Sequence, residues 1–241
     1  LLACLLQPAA ADVRDDYTQG LEAYRDGDFP RAVNYFSKAA DNGYVKAQVE
    51  LAEMYMKGDG VAQDSEEAAK LYAKAARQGN STAQLSLAGL YERGDGVRQD
   101  DEKAARWLYR AAAQGLAEAQ YRLGRLYAEG SGVERDDAAA VAWYRRAAER
   151  GHARAQGSLG YMLQTGRGTE RDVAAAAAWY RKAADQDRVV AQTNLARLYL
   201  EGEGVEAAVR EDDLHACLRG YDELRTLDLA GLDDSGRSAR I

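Results

Sequence analysis

A period of 36 residues limits what this chain can fold into more than any other feature. Four blocks lie end to end, 43–78, 79–114, 115–150 and 151–186. They open "GYVKAQVELAEMYMKGDGVAQD", "GNSTAQLSLAGLYERGDGVRQD", "GLAEAQYRLGRLYAEGSGVERD" and "GHARAQGSLGYMLQTGRGTERD". A fifth opening, "DRVVAQTNLARLYLEGEGVEAA", starts at Asp187 and then leaves the pattern. Repetition at this length marks an array in which each unit is one supersecondary element and neighbours supply the buried faces.

Each block reads as two helices. In the first, Ala47, Leu51, Ala52 and Tyr55 recur at i, i+4, i+5 and i+8, one apolar stripe at the helical period. Ala68, Leu71, Tyr72, Ala75 and Ala76 do the same in the second. With only two prolines among 241 residues, helix is favoured nearly everywhere, and the 23 glycines act as punctuation. A small residue beside the repeated Leu (Ala52, Ala88, Gly124, Gly160, Ala196) leaves room for a close approach. Tyr72, Trp107, Trp143, Tyr144, Trp179 and Tyr180 are expected to fill the core between hairpins.

Between the helices stands a G-x-G pair: Gly58/Gly60, Gly94/Gly96, Gly130/Gly132, Gly166/Gly168 and Gly202/Gly204. Glycine suits the position past a helix end because the left-handed conformation costs it nothing. Val61, Val97, Val133 and Val205, with Thr169 as the exception, read as an apolar plug. Asp64, Asp100, Asp136 and Asp172 read as N-caps, and Asp64 with Glu67 as a capping-box pair. The residue between the glycines changes from Asp95 to Ser131, Arg167 and Glu203, which suits a connector and no metal site. The first hairpin, Gly20–Ala40, has a tighter G-D-F turn. Arg210–Leu227 reads as an amphipathic cap helix with Leu214, Cys217, Leu218, Tyr221 and Leu224 on one side. The final "DDSGRSARI" is expected to be disordered.

The pattern A-x-A-Q-x-x-L-[AG]-x-x-Y-x-x-G-x-G-V-x-x-D…A-x-x-W-Y-x-[KR]-A-A-x-x-G is similar to the Sel1-like repeat, a variant of the tetratricopeptide repeat, from residue 17 to about 206. The first hairpin resembles an ordinary tetratricopeptide unit. The resemblance implies an all-α, right-handed solenoid of antiparallel helix pairs, with first helices lining a concave face. It implies a non-enzymatic scaffold or adaptor for a protein or peptide partner, in a bacterial envelope process such as regulation, polysaccharide production, motility or host contact. The expected organisation is a leader remnant (1–11), a first hairpin (12–42), four repeats (43–78, 79–114, 115–150, 151–186), a degenerate fifth (187–209) and a cap with tail (210–241). Leu163 departs from the pattern's Tyr, and Thr169 from its Val. Cysteine-rich members linked to penicillin binding or hydrolysis carry a disulfide in each repeat. This chain has only Cys4 and Cys217 and lacks that pattern, a departure that counts against carrying the activity over.

A net charge of −7 argues against nucleic acid, whose affinity comes from neutralising phosphates. "LLACLLQPAAAD" reads as the end of an export leader cleaved before Asp12, giving a periplasmic or secreted protein. The alternatives are a lipid anchor on Cys4 and a cytosolic protein with an apolar start. No other stretch approaches the ~18 apolar residues of a membrane span. Histidines 152 and 215 stand apart, and no nucleophile elbow, phosphate loop or zinc spacing is present. The aspartate pairs lack the alternating ligands of a calcium loop. No catalytic residue, cofactor or metal is therefore expected, and the chain is expected to be monomeric.

Candidate partner-binding residues are first-helix positions where the repeats disagree. They are Lys46, Glu53, Lys57, Thr82, Glu92, Arg93, Glu118, Tyr121, Arg125, Arg154, Tyr161, Gln164 and Arg197. Tyr121 and Tyr161 are the expected anchors, because exposed aromatics are enriched at interface hot spots. The competing readings are an envelope hydrolase of peptidoglycan or β-lactam type and a structural assembly subunit.

Overall fold

Helix pairs follow the sequence period. The computed structural model describes residues 10–202, and among them eleven helices and no strand occur. They are α1 (Ala10–Arg25), α2 (Phe29–Asp41), α3 (Val45–Lys57), α4 (Ser65–Arg77), α5 (Ser81–Arg93), α6 (Asp101–Ala113), α7 (Ala117–Glu129), α8 (Asp137–Glu149), α9 (Ala153–Thr165), α10 (Val173–Ala184) and α11 (Val189–Glu201). The expectations for Cys4 and most of the leader, and for Gly204, Val205, His215, Cys217, the cap helix and the tail, fall outside the described residues.

The chain divides into two compact units. One comprises residues up to 119 with 130–134, the other 120–129 with 135 onward. In the first unit Phe36, Leu51, Met54, Leu71, Tyr72, Leu87 and Leu90 form the centre of the core. In the second, Tyr144, Leu159, Met162, Leu163, Tyr180, Leu195 and Leu198 do. Leu163, the departure from Tyr, is buried and fills its place with aliphatic carbon.

The helix starts are capped as the aspartates suggest. Asp64 accepts from the N–H groups of Glu66 and Glu67, Asp100 from Lys103, Asp136 from Ala139 and Asp172 from Ala175. The capping box, however, is not formed. The Asp64 N–H donates instead to the Tyr55 carbonyl at 3.0 Å, and the Glu67 carboxylate pairs with Lys70. Asp100, Asp136 and Asp172 donate likewise to Tyr91, Tyr127 and Leu163. One aspartate thus starts the second helix with its side chain and ties the loop to the first with its backbone.

The G-x-G pair has a division of labour. Gly94 and Gly166 end their helices in the left-handed conformation, their N–H groups bonding Leu90 and Met162. The second glycine seats the loop on the preceding hairpin. A Cβ at Gly96 would lie 2.1 Å from the Ser65 carbonyl oxygen, and one at Gly168 would lie 2.2 Å from that of Asp137. Both obstacles are backbone at the start of a second helix. Val61, Val97, Val133 and Thr169 are half-buried beside these turns.

The repeated glutamine is a buried polar clamp. Gln48, Gln84 and Gln156 donate through Nε2 to the carbonyls of Ala40 (3.3 Å), Ala76 (3.1 Å) and Ala148 (3.2 Å). Their Oε1 atoms accept from Gln78 (3.0 Å), Gln114 (2.8 Å) and Gln186 (2.8 Å). Each glutamine therefore joins the end of one second helix to the end of the next. Gln156→Leu keeps the volume but removes a donor from Ala148 and the acceptor from Gln186. It should cost about 1–2 kcal/mol in urea unfolding; unchanged stability would show that the clamp contributes nothing.

The tryptophans correct the sequence reading. Trp107, Trp143 and Trp179 are half-buried instead of filling the core, and Trp107 and Trp179 pack against its edge. Their outer faces carry the cations of Arg110 (4.7 Å), Arg146 (4.5 Å) and Lys182 (4.2 Å). Adjacent helical residues point about 100° apart, so one member of each pair turns inward, here Leu108, Tyr144 and Tyr180. The glycines opposite make that possible: a Cβ at Gly124 or Gly160 would meet the Tyr144 or Tyr180 ring at 2.8 Å.

Candidate partner-binding groove

On a first helix whose Leu and Ala positions face the core, residues spaced i, i+4 and i+7 share another face. In α9 these are Arg154, Ser158 and Tyr161, and in α11 Val190, Asn194 and Arg197. Within the second unit these faces and α7 line a groove of about 490 Å³. Tyr121 and Glu129 come from α7, Arg154, Ser158 and Tyr161 from α9, and Val190 and Asn194 from α11. Arg167, from the loop after α9, and Arg188, the residue before α11 and making no side-chain cap there, complete the polar lining.

Three of the predicted residues, Tyr121, Arg154 and Tyr161, come together here. Tyr161 is 47% exposed. Tyr121 corrects the expectation of an exposed anchor, being half-buried. Its ring stacks on His152 with centroids 4.8 Å apart and lies 5.9 Å from that of Tyr144. His152 is there for structural reasons: it caps α9, its Nδ1 accepting from the Ala155 N–H at 3.1 Å.

Arg167 shows that the loop is more than a connector. Its Nη2 donates to the Ala128 carbonyl and to Asp137 Oδ1, both at 2.6 Å, while its Nε is buried with no hydrogen-bond partner. This guanidinium first, and Arg135 second, hold the Asp137 carboxyl well below the usual carboxylate range. Burial pushes the Tyr144 hydroxyl up to about 12, keeping it protonated.

The other predicted residues lie elsewhere. Gln164 serves the fold, its Oε1 accepting from the Tyr180 hydroxyl at 2.9 Å. Arg125 and Glu129 form an exposed pair at 3.9 Å, and Arg197 is exposed on α11 outside the groove lining. Lys46, Glu53, Lys57, Thr82, Glu92, Arg93 and Glu118 belong to the first unit, where Lys57–Glu53 and Arg93–Asp95 are surface ion pairs. There the slot of Ser158 holds Glu50, half-buried and hydrogen-bonded to Tyr17; burial, then Glu53, raises its pKa. Sequence reasoning missed Ser158, Arg167, Arg188 and Asn194. Ser158 and Asn194 could have been found, because they occupy a repeat-variable slot four residues after Arg154 and Val190.

Among the described residues no three His, Cys, Asp or Glu side chains gather as a metal site. No helix there is long and apolar enough to cross a membrane.

Comparison with known proteins agrees with this architecture. The Sel1 repeat model matches residues 17–44, 45–80, 81–116, 117–152, 153–187 and 189–213. A protective antigen of uropathogenic Escherichia coli, c5321, has a solved structure similar to this one at a TM-score of 0.82 and 35% identity. The match covers 90% of this chain and 47% of that one. A Sel1 repeat protein from Oxalobacter formigenes is similar at a TM-score of 0.78 and 31% identity, over 87% of this chain and 84% of that one. An exopolysaccharide production negative regulator from Rhizobium leguminosarum bv. viciae is 41% identical over 56 residues, 23% of this chain and 21% of the relative. This chain therefore spans about half of the E. coli structure, and the match to the Rhizobium regulator reaches only about a fifth of that protein. With six matched repeats covering most of its length and helix pairs like those of the solved structures, the chain belongs to the Sel1 repeat family of right-handed α-solenoids.

Proposed function

We propose that this protein is a non-enzymatic scaffold that holds a segment of a partner protein in the groove of the second unit. The observation that carries this reading is the make-up of the groove. Positions that differ between repeats converge there around Tyr161, while the residues shared by the repeats build the scaffold beneath. Large exposed aromatics beside arginines are the composition of interface hot spots. Protein–protein interaction is also the usual role of Sel1 repeats. We assign the scaffold to a bacterial envelope process, with the Rhizobium regulator of exopolysaccharide production as the supporting relative. The export reading of "LLACLLQPAAAD" accords with that setting.

Affinity capture with the intact chain tests the groove. Proteins retained by the parent should be lost from Tyr161→Ala and from Tyr121→Ala/Tyr161→Ala, with the helical circular dichroism signal kept. Tyr161→Ala is the cleaner arm, because Tyr121 also supports His152. Capture that survives both variants would remove the groove from the mechanism.

A further inference from the structure

We propose that the groove of the second unit takes an acidic, extended peptide, with carboxylates on Arg154 and Arg188 and an apolar side chain against Tyr161 and Val190. This rests on the groove reading above and adds the chemistry of the occupant.

The charge is local and runs against the composition of the chain. The protein carries a net charge of −7, yet the groove is lined by Arg154, Arg167 and Arg188 against one acid, Glu129. Arg167 is committed to Asp137 and the Ala128 carbonyl. Arg154 and Arg188 are exposed and form no ion pair or side-chain hydrogen bond among the described residues. Their planar forks are therefore available for the bidentate geometry that carboxylates accept. The slots around them add to the field. Where the first unit has Glu50 and Glu53, the second has Arg122 with Arg125, then Ser158 with Tyr161, then Asn194 with Arg197.

The remaining lining selects a peptide among polyanions. Tyr161 is 47% exposed and Val190 70%, so an apolar surface stands beside the two guanidinium groups. A chain that alternates carboxylate and apolar side chains satisfies both, which a polyuronate, having no apolar side chains, does not, and the net charge of −7 disfavours a nucleic acid. Ser158 and Asn194 lie on the same faces and supply hydrogen-bonding groups for an extended backbone. A volume of about 490 Å³ accommodates a few side chains.

The test is selection of random displayed peptides on the intact protein, followed by fluorescence anisotropy of the recovered sequences. The expected result is enrichment of Asp and Glu over the input library. Binding should weaken by about tenfold or more in Arg154→Glu/Arg188→Glu and be unchanged in Arg98→Glu, an exposed arginine of the first unit. It should also weaken as salt rises from ~50 to ~500 mM. Both target arginines are exposed, and circular dichroism monitors folding of each variant. Peptides that need Tyr161 but show no acidic bias would overturn the acidic occupant and leave the groove reading standing. Recovery of no peptide dependent on Tyr161 would overturn both. A single-stranded oligonucleotide or polygalacturonate bound as tightly, with the same arginine dependence, would overturn the peptide assignment.

Discussion

Gly168→Ala should destabilise the protein by about 3 kcal/mol, whereas Gly151→Ala should cost about 1 kcal/mol. The two glycines have similar backbone conformations, with φ of +69° and +84°, so the left-handed penalty of about 1–2 kcal/mol is common to both. They differ in what an added methyl would meet. Nothing lies within 4 Å of a Cβ at Gly151. At Gly168 the Cβ would fall 2.2 Å from the Asp137 carbonyl oxygen, 2.3 Å from its carbon and 2.8 Å from the Ala138 nitrogen. All three are backbone atoms in the first turn of α8, so no side chain can rotate aside. The loop must retreat, and with it Arg167, whose bonds to Asp137 and Ala128 depend on that seating. Set against a total stability of ~5–15 kcal/mol, this is a large fraction for one methyl group. Urea unfolding of the two variants measures the difference. Equal costs would mean that the second glycine is only a turn residue and that the loop does not bear on the helix before it.

Much of the fold was legible because the period repeats each local signal. The stripe of Ala47, Leu51 and Ala52 and the caps at Asp64, Asp100, Asp136 and Asp172 each follow from a local rule applied several times over. What stayed hidden depends on distance across the array. Gly96 reads as a turn in sequence, yet its obstacle is Ser65 in the previous hairpin. Gln156 reads as one more polar residue on a helix until Ala148 and Gln186 are placed beside it. The Trp and Tyr that adjoin in sequence both look like core, and only the helix rotation decides that Tyr180 enters and Trp179 stays at the boundary. The groove was half legible for a related reason. Every repeat offers the same variable slots, so variation pointed to Tyr121, Arg154 and Tyr161 but equally to Gln164, which is spent on Tyr180. Arg167 is hidden in sequence because the residue between two glycines looks free to vary, although Ser131 and Arg167 both bond the equivalent aspartate of the preceding hairpin, Asp101 and Asp137.

Tyr180→Ala should cost about 4 kcal/mol, and Tyr180→Phe about 1 kcal/mol. The ring is fully buried, and the absence of a side chain at Gly160 gives it room. Truncation leaves a cavity between α9 and α10 that backbone packed on both sides cannot close. Phenylalanine keeps the ring and loses only the hydroxyl bond to Gln164, which is itself half-buried and can turn to water. Burial raises the hydroxyl's pKa, so it remains a protonated donor at neutral pH and the comparison does not depend on a charge. In a repeat array stability is close to a sum of nearest-neighbour terms, so the damage should be local. Hydrogen exchange should quicken in α9, α10 and α11 while α1 to α6 keep their protection. The weakened helices carry Arg154, Tyr161 and Val190, so groove occupancy should fall even though no lining residue has changed. Exchange that rises evenly along the whole chain would show instead that the array unfolds as one cooperative body, and equal costs for the two variants would show that the hydroxyl, not the packing of the ring, holds this hairpin together.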